Sequence, residues 1–156
     1  MNPILKELEH EISRIVQDNE EAVIKEKDGQ LYFRLLAHDP AALTVRLYCR
    51  NDMDKEVSIE VYGFQNKKFD KKLILQKINE KNDQACLFKY CLNKYGNIFL
   101  RRDEYYKNPF EVLHLISEAF DMLISATPYF HMSEEKEDEG DGQYGFFTKF
   151  IHKVFS

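Results

Sequence analysis

Tryptophan is absent from the 156 residues, and glycine (6), proline (4) and cysteine (3) are scarce. No glycine-rich loop opens a helix, so no phosphate cradle is expected. Cys49, Cys86 and Cys91 are an odd number without zinc-finger or redox spacing. They read as small packing residues in a reducing compartment rather than a disulfide framework. No apolar run approaches the roughly 20 residues of a membrane span. The opening "MNPILKELEHEISR" has no signal-peptide core, so a cytoplasmic protein without stable membrane insertion is expected. An excess of positive charge is also missing: Lys and Arg number 22 against 27 Asp and Glu, a net charge of -5. That balance disfavours binding to phosphate backbones, and no nucleic-acid partner is expected.

What is present is core material. Hydrophobic residues make up 44% and aromatics 13%, with 12 Phe and 9 Tyr. This is enough for one packed domain without metals or disulfides. Ile4, Leu5, Leu8, Ile12, Ile15 and Val16 form one stripe of a helix over 3–17, with Asn2 as cap and Pro3 in the first turn. Asp28-Gly29 is a two-residue hairpin turn between strands 22–26 and 30–37. Pro40 then breaks the chain. "LTVRLYCRN" alternates Leu43, Val45, Leu47 and Cys49 with Thr44, Arg46, Tyr48 and Arg50. "VSIEVYGF" sets Val57, Ile59 and Val61 against Ser58, Glu60 and Tyr62. A half-buried antiparallel meander follows, one face on a core and one facing water.

Phe69, Leu73, Ile74 and Ile78 predict a helix over about 67–82. A second hairpin joins strands 86–93 and 97–106 through Lys94-Tyr95-Gly96-Asn97. Cys86, Phe88, Tyr90 and Leu92 share one face of its first strand. Ile98 and Leu100 oppose Phe99 in its second. Asn108, Pro109 and Glu111 are a capping box for a helix carrying Val112, Leu113, Ile116, Ala119, Phe120, Leu123 and Ile124, predicted to stop before Pro128. The expected fold is α+β: an antiparallel sheet of about six strands with helices on one face, in the order α-β-β-β-β-α-β-β-α plus a C-terminal aromatic tail. The domain covers 1–130. An acidic linker, 131–143, holds Glu134, Glu135, Glu137, Asp138, Glu139 and Asp141. A tail over 144–156, expected to be helical from its spacing, carries Phe146, Phe147, Phe150, Ile151 and Val154.

Residues with chemistry are dispersed. His10, His38, His114, His131 and His152 have no His or Cys partner at ligand spacing. His114 and Glu118 stand four apart and read as a solvated helix face; His38 and Asp39 belong to a turn before Pro40. Cys91 faces outward beside Lys89, which would lower its pKa, yet an ordinary outer-face sheet residue is preferred. Glu20-Glu21 and Asp103-Glu104 read as solubilising charge. Arg101, Arg102, Tyr105 and Tyr106 interleave bases with aromatics, but alternation sends the two arginines to opposite faces, so no contiguous patch is expected. An arginine paired with Glu60 or Glu104 is the preferred account. No catalytic, cofactor-binding or metal-binding residues are assigned, and no cofactor is expected.

The stretch "ILQKINEKNDQACLFKYCLNKYGNIFLRRDEYY", followed by a capped amphipathic helix, resembles the YbjN-like family of bacterial sensory transduction regulators, whose fold is like that of type III secretion chaperones. The family's helix-ending "LNxLN" pattern corresponds to Leu75-Gln76-Lys77-Ile78-Asn79, with Gln76 and Ile78 departing from it. The strand, glycine turn, second strand and closing helix match Phe88–Leu92, Gly96, Ile98–Leu100 and Phe110–Ile124. The resemblance covers residues 1–130. It implies a non-enzymatic regulatory or chaperone-like domain that binds other proteins and forms a homodimer.

The expected role is therefore protein binding, through the sheet's outer face or a groove beside the closing helix. Its anchors would be Tyr48, Tyr62, Phe64, Phe99, Phe146, Phe147 and Phe150. The tail would fold back, pack on a second subunit, or dock on a partner or membrane surface with Lys149, His152 and Lys153. An immunity-type protein that neutralises a basic toxin is a second reading, suited to a small acidic chain. An enzyme is a third; it requires a pocket collecting His38, His114 or Cys91 with a carboxylate.

Overall fold

The computed structural model describes residues 2–16, 22–35, 44–63, 70–84 and 87–130. The expected order of elements is present: α1 (Pro3–Val16), β1 (Ala22–Lys27), β2 (Gln30–Leu35), β3 (Thr44–Tyr48), β4 (Glu56–Tyr62), α2 (Lys71–Gln84), β5 (Lys89–Leu92), β6 (Ile98–Tyr105) and α3 (Pro109–Phe130). The linker 131–143 and the tail 144–156 lie outside the described residues.

Short-range chemistry fixes the turns and caps. Asp28 and Gly29 both have positive φ, 54° and 74°, the geometry a two-residue hairpin needs to match strand twist. Gly96 has φ 83°. Asn93 organises that second turn, since its Oδ1 accepts from the amides of Tyr95 and Asn97, each at 2.9 Å. Asn2 caps α1 through Ile4 N at 2.7 Å. Its amide also donates to the carbonyls of Asn51 and Asp54, tying the helix start to the β3–β4 turn. Asn108 Oδ1 accepts from Glu111 N at 3.0 Å and opens α3.

Two helix boundaries differ from the sequence expectation. α2 begins at Lys71 rather than 67, because Asp70 is its cap: Oδ1 accepts from Leu73 N at 3.2 Å. It buries Ile74 and Ile78 but leaves Leu73 44% exposed. α3 continues through Pro128 to Phe130. Proline removes one intrahelical hydrogen bond and disfavours helix at the residue before it. Tertiary packing overrides that preference: Phe130 is buried, and its ring lies 5.4 Å from that of Tyr90.

All six strands form one antiparallel sheet in the order β1-β2-β3-β4-β6-β5. β4 therefore lies inside the sheet, and the chain crosses by α2 to the far edge before β6 returns beside it. One sheet face packs on the helices. Leu31, Phe33, Val45, Leu47, Val57, Ile59, Val61, Tyr90, Ile98 and Leu100 meet Leu5, Leu8 and Ile12 of α1 and Val112, Ile116, Ala119, Phe120 and Leu123 of α3 in a single core. Each large aliphatic side chain buried there contributes about 1.5–3 kcal/mol.

The β5 edge is closed by a side chain. Asn82 of α2 donates to Tyr90 O at 2.9 Å and accepts from Tyr90 N at 2.7 Å, as a neighbouring strand would. Satisfying both edge groups blocks further pairing at this point.

Candidate functional site

In an antiparallel ladder, directly opposed residues share a face. The observed register draws one line across all six strands on the face away from the helices: Lys25, Tyr32, Arg46, Glu60, Arg101 and Lys89. Beside it run Thr44, Tyr62, Phe99 and Cys91 on one flank, and Tyr48, Ser58 and Asp103 on the other. No described helix lies on this face.

Glu60 is the centre. It is 4% exposed, and its two oxygens accept three hydrogen bonds: Arg46 Nη1 at 3.0 Å and Tyr62 Oη at 2.6 Å on Oε1, and Tyr48 Oη at 2.7 Å on Oε2. Arg46 also donates from Nε to Gln30 Oε1 at 2.8 Å, where Tyr32 Oη donates too, and its guanidinium lies 4.4 Å from the Tyr48 ring centroid. Ser58 Oγ donates to Asp103 Oδ1 at 2.6 Å, and Arg101 Nη2 stands 3.5 Å from the same oxygen. Tyr62 and Phe99 stack with ring centroids 4.7 Å apart. The expectation of a water-facing side is thus corrected at β4. Ser58 and Glu60 are buried, because β3 and β6 flank the strand and their side chains close over it.

The electrostatics follow from this packing. Burial, then the Glu60 carboxylate, holds the Tyr48 and Tyr62 hydroxyls above the usual phenol range. Burial pulls the Arg46 guanidinium down, but Glu60 outweighs it and the net shift is upward. Arg101 is likewise raised overall: burial opposes, while Tyr48, Asp103 and Glu60 favour its charge. The cluster joins Glu60 to one guanidinium and two phenols that hold their protons more tightly than usual. Both Glu60 oxygens already accept from donors, which suits an architectural role better than proton abstraction.

Of the anchors expected from sequence, Tyr48, Tyr62 and Phe99 come together on this face, each half-buried. Phe64, Phe146, Phe147 and Phe150 lie outside the described residues. Arg101 and Arg102 do take opposite faces, opposing Glu60 and Ile59 respectively. Arg101 shares its row with Lys25, Arg46 and Lys89 from other strands, interrupted by Tyr32 and Glu60. Arg102 pairs with Glu104 at 2.7 Å, and Glu60 takes Arg46 as its arginine. Gln30, Tyr32, Arg46, Ser58 and Asp103 were not singled out as site residues. Their outward positions could be read from alternation; Gln30, Tyr32 and Arg46 meet through the β2–β3–β4 pairings, and Ser58 meets Asp103 only through the β4–β6 pairing.

The other chemical candidates resolve differently. Cys91 opposes Phe99 on the outer face, and its thiol is pushed up by burial and Glu60 against the opposing pull of Arg101. This agrees with the preferred account of Cys91 as an ordinary outer-face sheet residue, and the alternative of a thiol lowered by Lys89 is set aside. Cys49 is pushed up to about 11 by burial and Asp54. Neither thiol is a ready nucleophile near neutral pH. His114 Nε2 stands 3.4 Å from Glu118 Oε1 on the exposed side of α3, as a surface pair. His38 lies outside the described residues. Among the described residues, no group of three or more His, Cys, Asp or Glu is placed to hold a metal ion, and no helix is long and apolar enough to cross a membrane. No protein family and no curated protein matches the chain.

Proposed function

We propose that the chain is a protein-binding domain of regulatory or chaperone-like type, and that the outer sheet face holds a segment of its partner. One observation carries this reading: a face free of described helices presents Tyr48, Tyr62, Phe99, Arg46 and Arg101 around a buried, fully bonded Glu60. Aromatic and arginine side chains fixed by their neighbours bind partners with little entropy left to lose. The order of elements supports the resemblance to YbjN-like regulators, which implies a binding role and a dimer. That inference is by fold analogy. The cationic row suits an acidic segment rather than a basic toxin, so this face does not favour the immunity-type reading.

The test compares tagged full-length chain with the double variant Lys89→Glu, Arg101→Glu and with Phe110→Asp, placed on an exposed part of α3. Captured proteins are quantified by mass spectrometry, and each is then titrated in purified form by calorimetry. A partner whose affinity drops about tenfold or more with the charge-reversed face, and holds with Phe110→Asp, supports the reading. Partners that bind all three chains equally refute it.

A further inference from the structure

We propose that the β1 edge of the sheet is the contact between two copies of this chain, paired antiparallel about a two-fold axis at Ile24. This surface is separate from the outer face, and the proposal does not rest on the partner reading given above.

The two edges of the sheet differ. At the β5 edge, Asn82 takes both backbone groups of Tyr90. β1 has no such cover among the described residues. Lys27 and Gln30 flank the two-residue turn, so they are a hydrogen-bonded pair, and Lys25–Tyr32 and Val23–Arg34 follow in the same phase. Ala22, Ile24 and Glu26 therefore point their N–H and C=O groups away from β2. No described residue bonds to those groups. The Glu26 carboxylate turns back instead, accepting from Gly29 N at 3.3 Å. An open row of backbone donors and acceptors is a template for another strand.

The sequence of β1 is complementary to itself in one register. With the axis at Ile24, that residue faces its own copy, Ala22 faces Glu26, and Val23 faces Lys25. Every pair formed by Ala22, Ile24 and Glu26 is then a hydrogen-bonded pair. No like charges are directly opposed. The two Lys25 residues stand diagonally, about 7–8 Å apart, with their side chains exposed to water. An axis at Lys25 would set Lys25 on Lys25. An axis at Glu26 would set Glu26 on Glu26 and Lys25 on Lys27. An axis at Val23 would pair only Ala22 to Ile24 within the strand. An axis between residues would set outward groups against groups already bonded to β2. Charge and hydrogen-bond phase thus choose the register at Ile24.

Packing agrees with it. Ile24 opposes Phe33 on the helix side of the sheet and packs, partly buried, against the core. Two Ile24 side chains meeting across the seam carry that apolar interior from one copy into the other. α1 packs over β1 and β2, so the second copy's α1 comes alongside at roughly two strand spacings, about 10 Å, the separation of packed helices. The axis stands perpendicular to the sheet, so both outer faces look the same way.

The experiment is sedimentation equilibrium of the full chain, with a disulfide readout of register. The expected mass is twice 18.6 kDa, falling towards a single chain on dilution. Glu26→Pro removes an outward N–H without breaking a β1–β2 bond, and should raise the dimer Kd about tenfold or more at unchanged circular dichroism. In case proline disturbs the strand, Val23→Cys and Lys25→Cys chains are oxidised alone and as a mixture. Directly facing residues of a non-hydrogen-bonded pair stand about 4.5 Å apart, within disulfide range. The mixture should give a peptide joining positions 23 and 25 of different chains, at about fivefold or more the cross-linked yield of either chain alone. Lys89→Glu, Arg101→Glu alters the outer face alone and should leave the mass unchanged. A single-chain mass up to about 100 µM, whatever else occupies the edge, would overturn the proposal. So would a dimer that Glu26→Pro leaves intact, a dimer lost in Lys89→Glu, Arg101→Glu, or cross-links formed as readily by either cysteine chain alone. The partner reading fails separately, when capture ignores the charge-reversed face while the dimer stands.

Discussion

Replacing Glu60 tests whether the outer face is built around it. The residue is 4% exposed on a strand flanked on both sides, so it has no route to water. Glu60→Ala removes the acceptor for Arg46, Tyr48 and Tyr62, which now donate at 3.0, 2.7 and 2.6 Å. Bonds to a charged acceptor contribute about 1.5–3 kcal/mol each, so three would give about 7 kcal/mol if all were lost in a dry interior. The true cost is lower. The Arg46 side chain is 29% exposed and keeps Gln30 as a partner, and both tyrosines are half-buried, so water replaces part of what Glu60 supplied. The expected loss is about 3 kcal/mol, near the lower end for breaking a buried pair. Urea unfolding followed by circular dichroism should show a lower midpoint at unchanged slope. The thermal midpoint should fall by roughly 6–12 °C. Glu60→Gln, which keeps the shape and one acceptor oxygen, should cost about 2 kcal/mol. Removing both charges in Arg46→Met, Glu60→Leu should recover much of the loss, because no uncompensated charge remains. An Ala variant within about 0.5 kcal/mol of the parent would refute the reasoning, since it would mean the cluster is already satisfied by water.

Three further outcomes follow from the same geometry. Asn82→Ala should cost about 1–2 kcal/mol by leaving both backbone groups of Tyr90 without their edge partner, and should raise the concentration-dependent mass seen in sedimentation. The Tyr48 and Tyr62 hydroxyls are raised above the ordinary 10.0 by burial and then Glu60, so the folded state holds these protons more tightly than the unfolded state does. Their contribution is complete below the ordinary value and is lost as pH rises through the raised values; alkaline unfolding monitored at the tyrosinate absorbance should start above about pH 10, with a shallower slope in Glu60→Gln. Cys49 and Cys91, both raised by burial, should alkylate at pH 7.5 about tenfold or more slowly than the same sites in urea, as read by peptide mass spectrometry.

Local rules written in the sequence account for the architecture, and pairings between distant strands account for what was missed. Asp28-Gly29, Asn2-Pro3 and Asn108-Pro109 each determine a turn or cap through their own backbone and nearest side chains, so they were legible. Alternation in β3 and β6 correctly told inside from outside. The start of α2 was misplaced because Phe69 extends the apolar spacing past Asp70, whose capping bond sets the boundary. The end of α3 was misplaced because Phe130 packs on Tyr90, a contact between residues 40 positions apart in the chain. The Glu60 bonds themselves lie within the sequential β3–β4 pair, but the Ser58–Asp103 bond and the Tyr62–Phe99 stack beside them needed β6 next to β4. Nothing local specifies that neighbour, since β5 precedes β6 in the chain yet lies outside it in the sheet.

The cluster also specifies register, and this connects fold to function. A one-residue slip of β4 would turn Glu60 into the apolar core and bring Ile59 and Val61 to the outer face. An unpaired carboxylate there would cost several kcal/mol, far more than any local gain from the slip. The same three bonds that exclude that slip also immobilise Arg46, Tyr48 and Tyr62, and Tyr62 in turn stacks on Phe99. A carboxylate buried for specificity thereby leaves an ordered set of aromatic and cationic side chains at the surface. An apolar residue at position 60 would free those side chains to sample several rotamers, each of which a partner would have to fix at about 0.5–1.5 kcal/mol on binding. On this account, Arg46→Met, Glu60→Leu restores stability while weakening capture by the face. Stability and binding must then separate in that variant, whereas a purely structural cluster would restore both together.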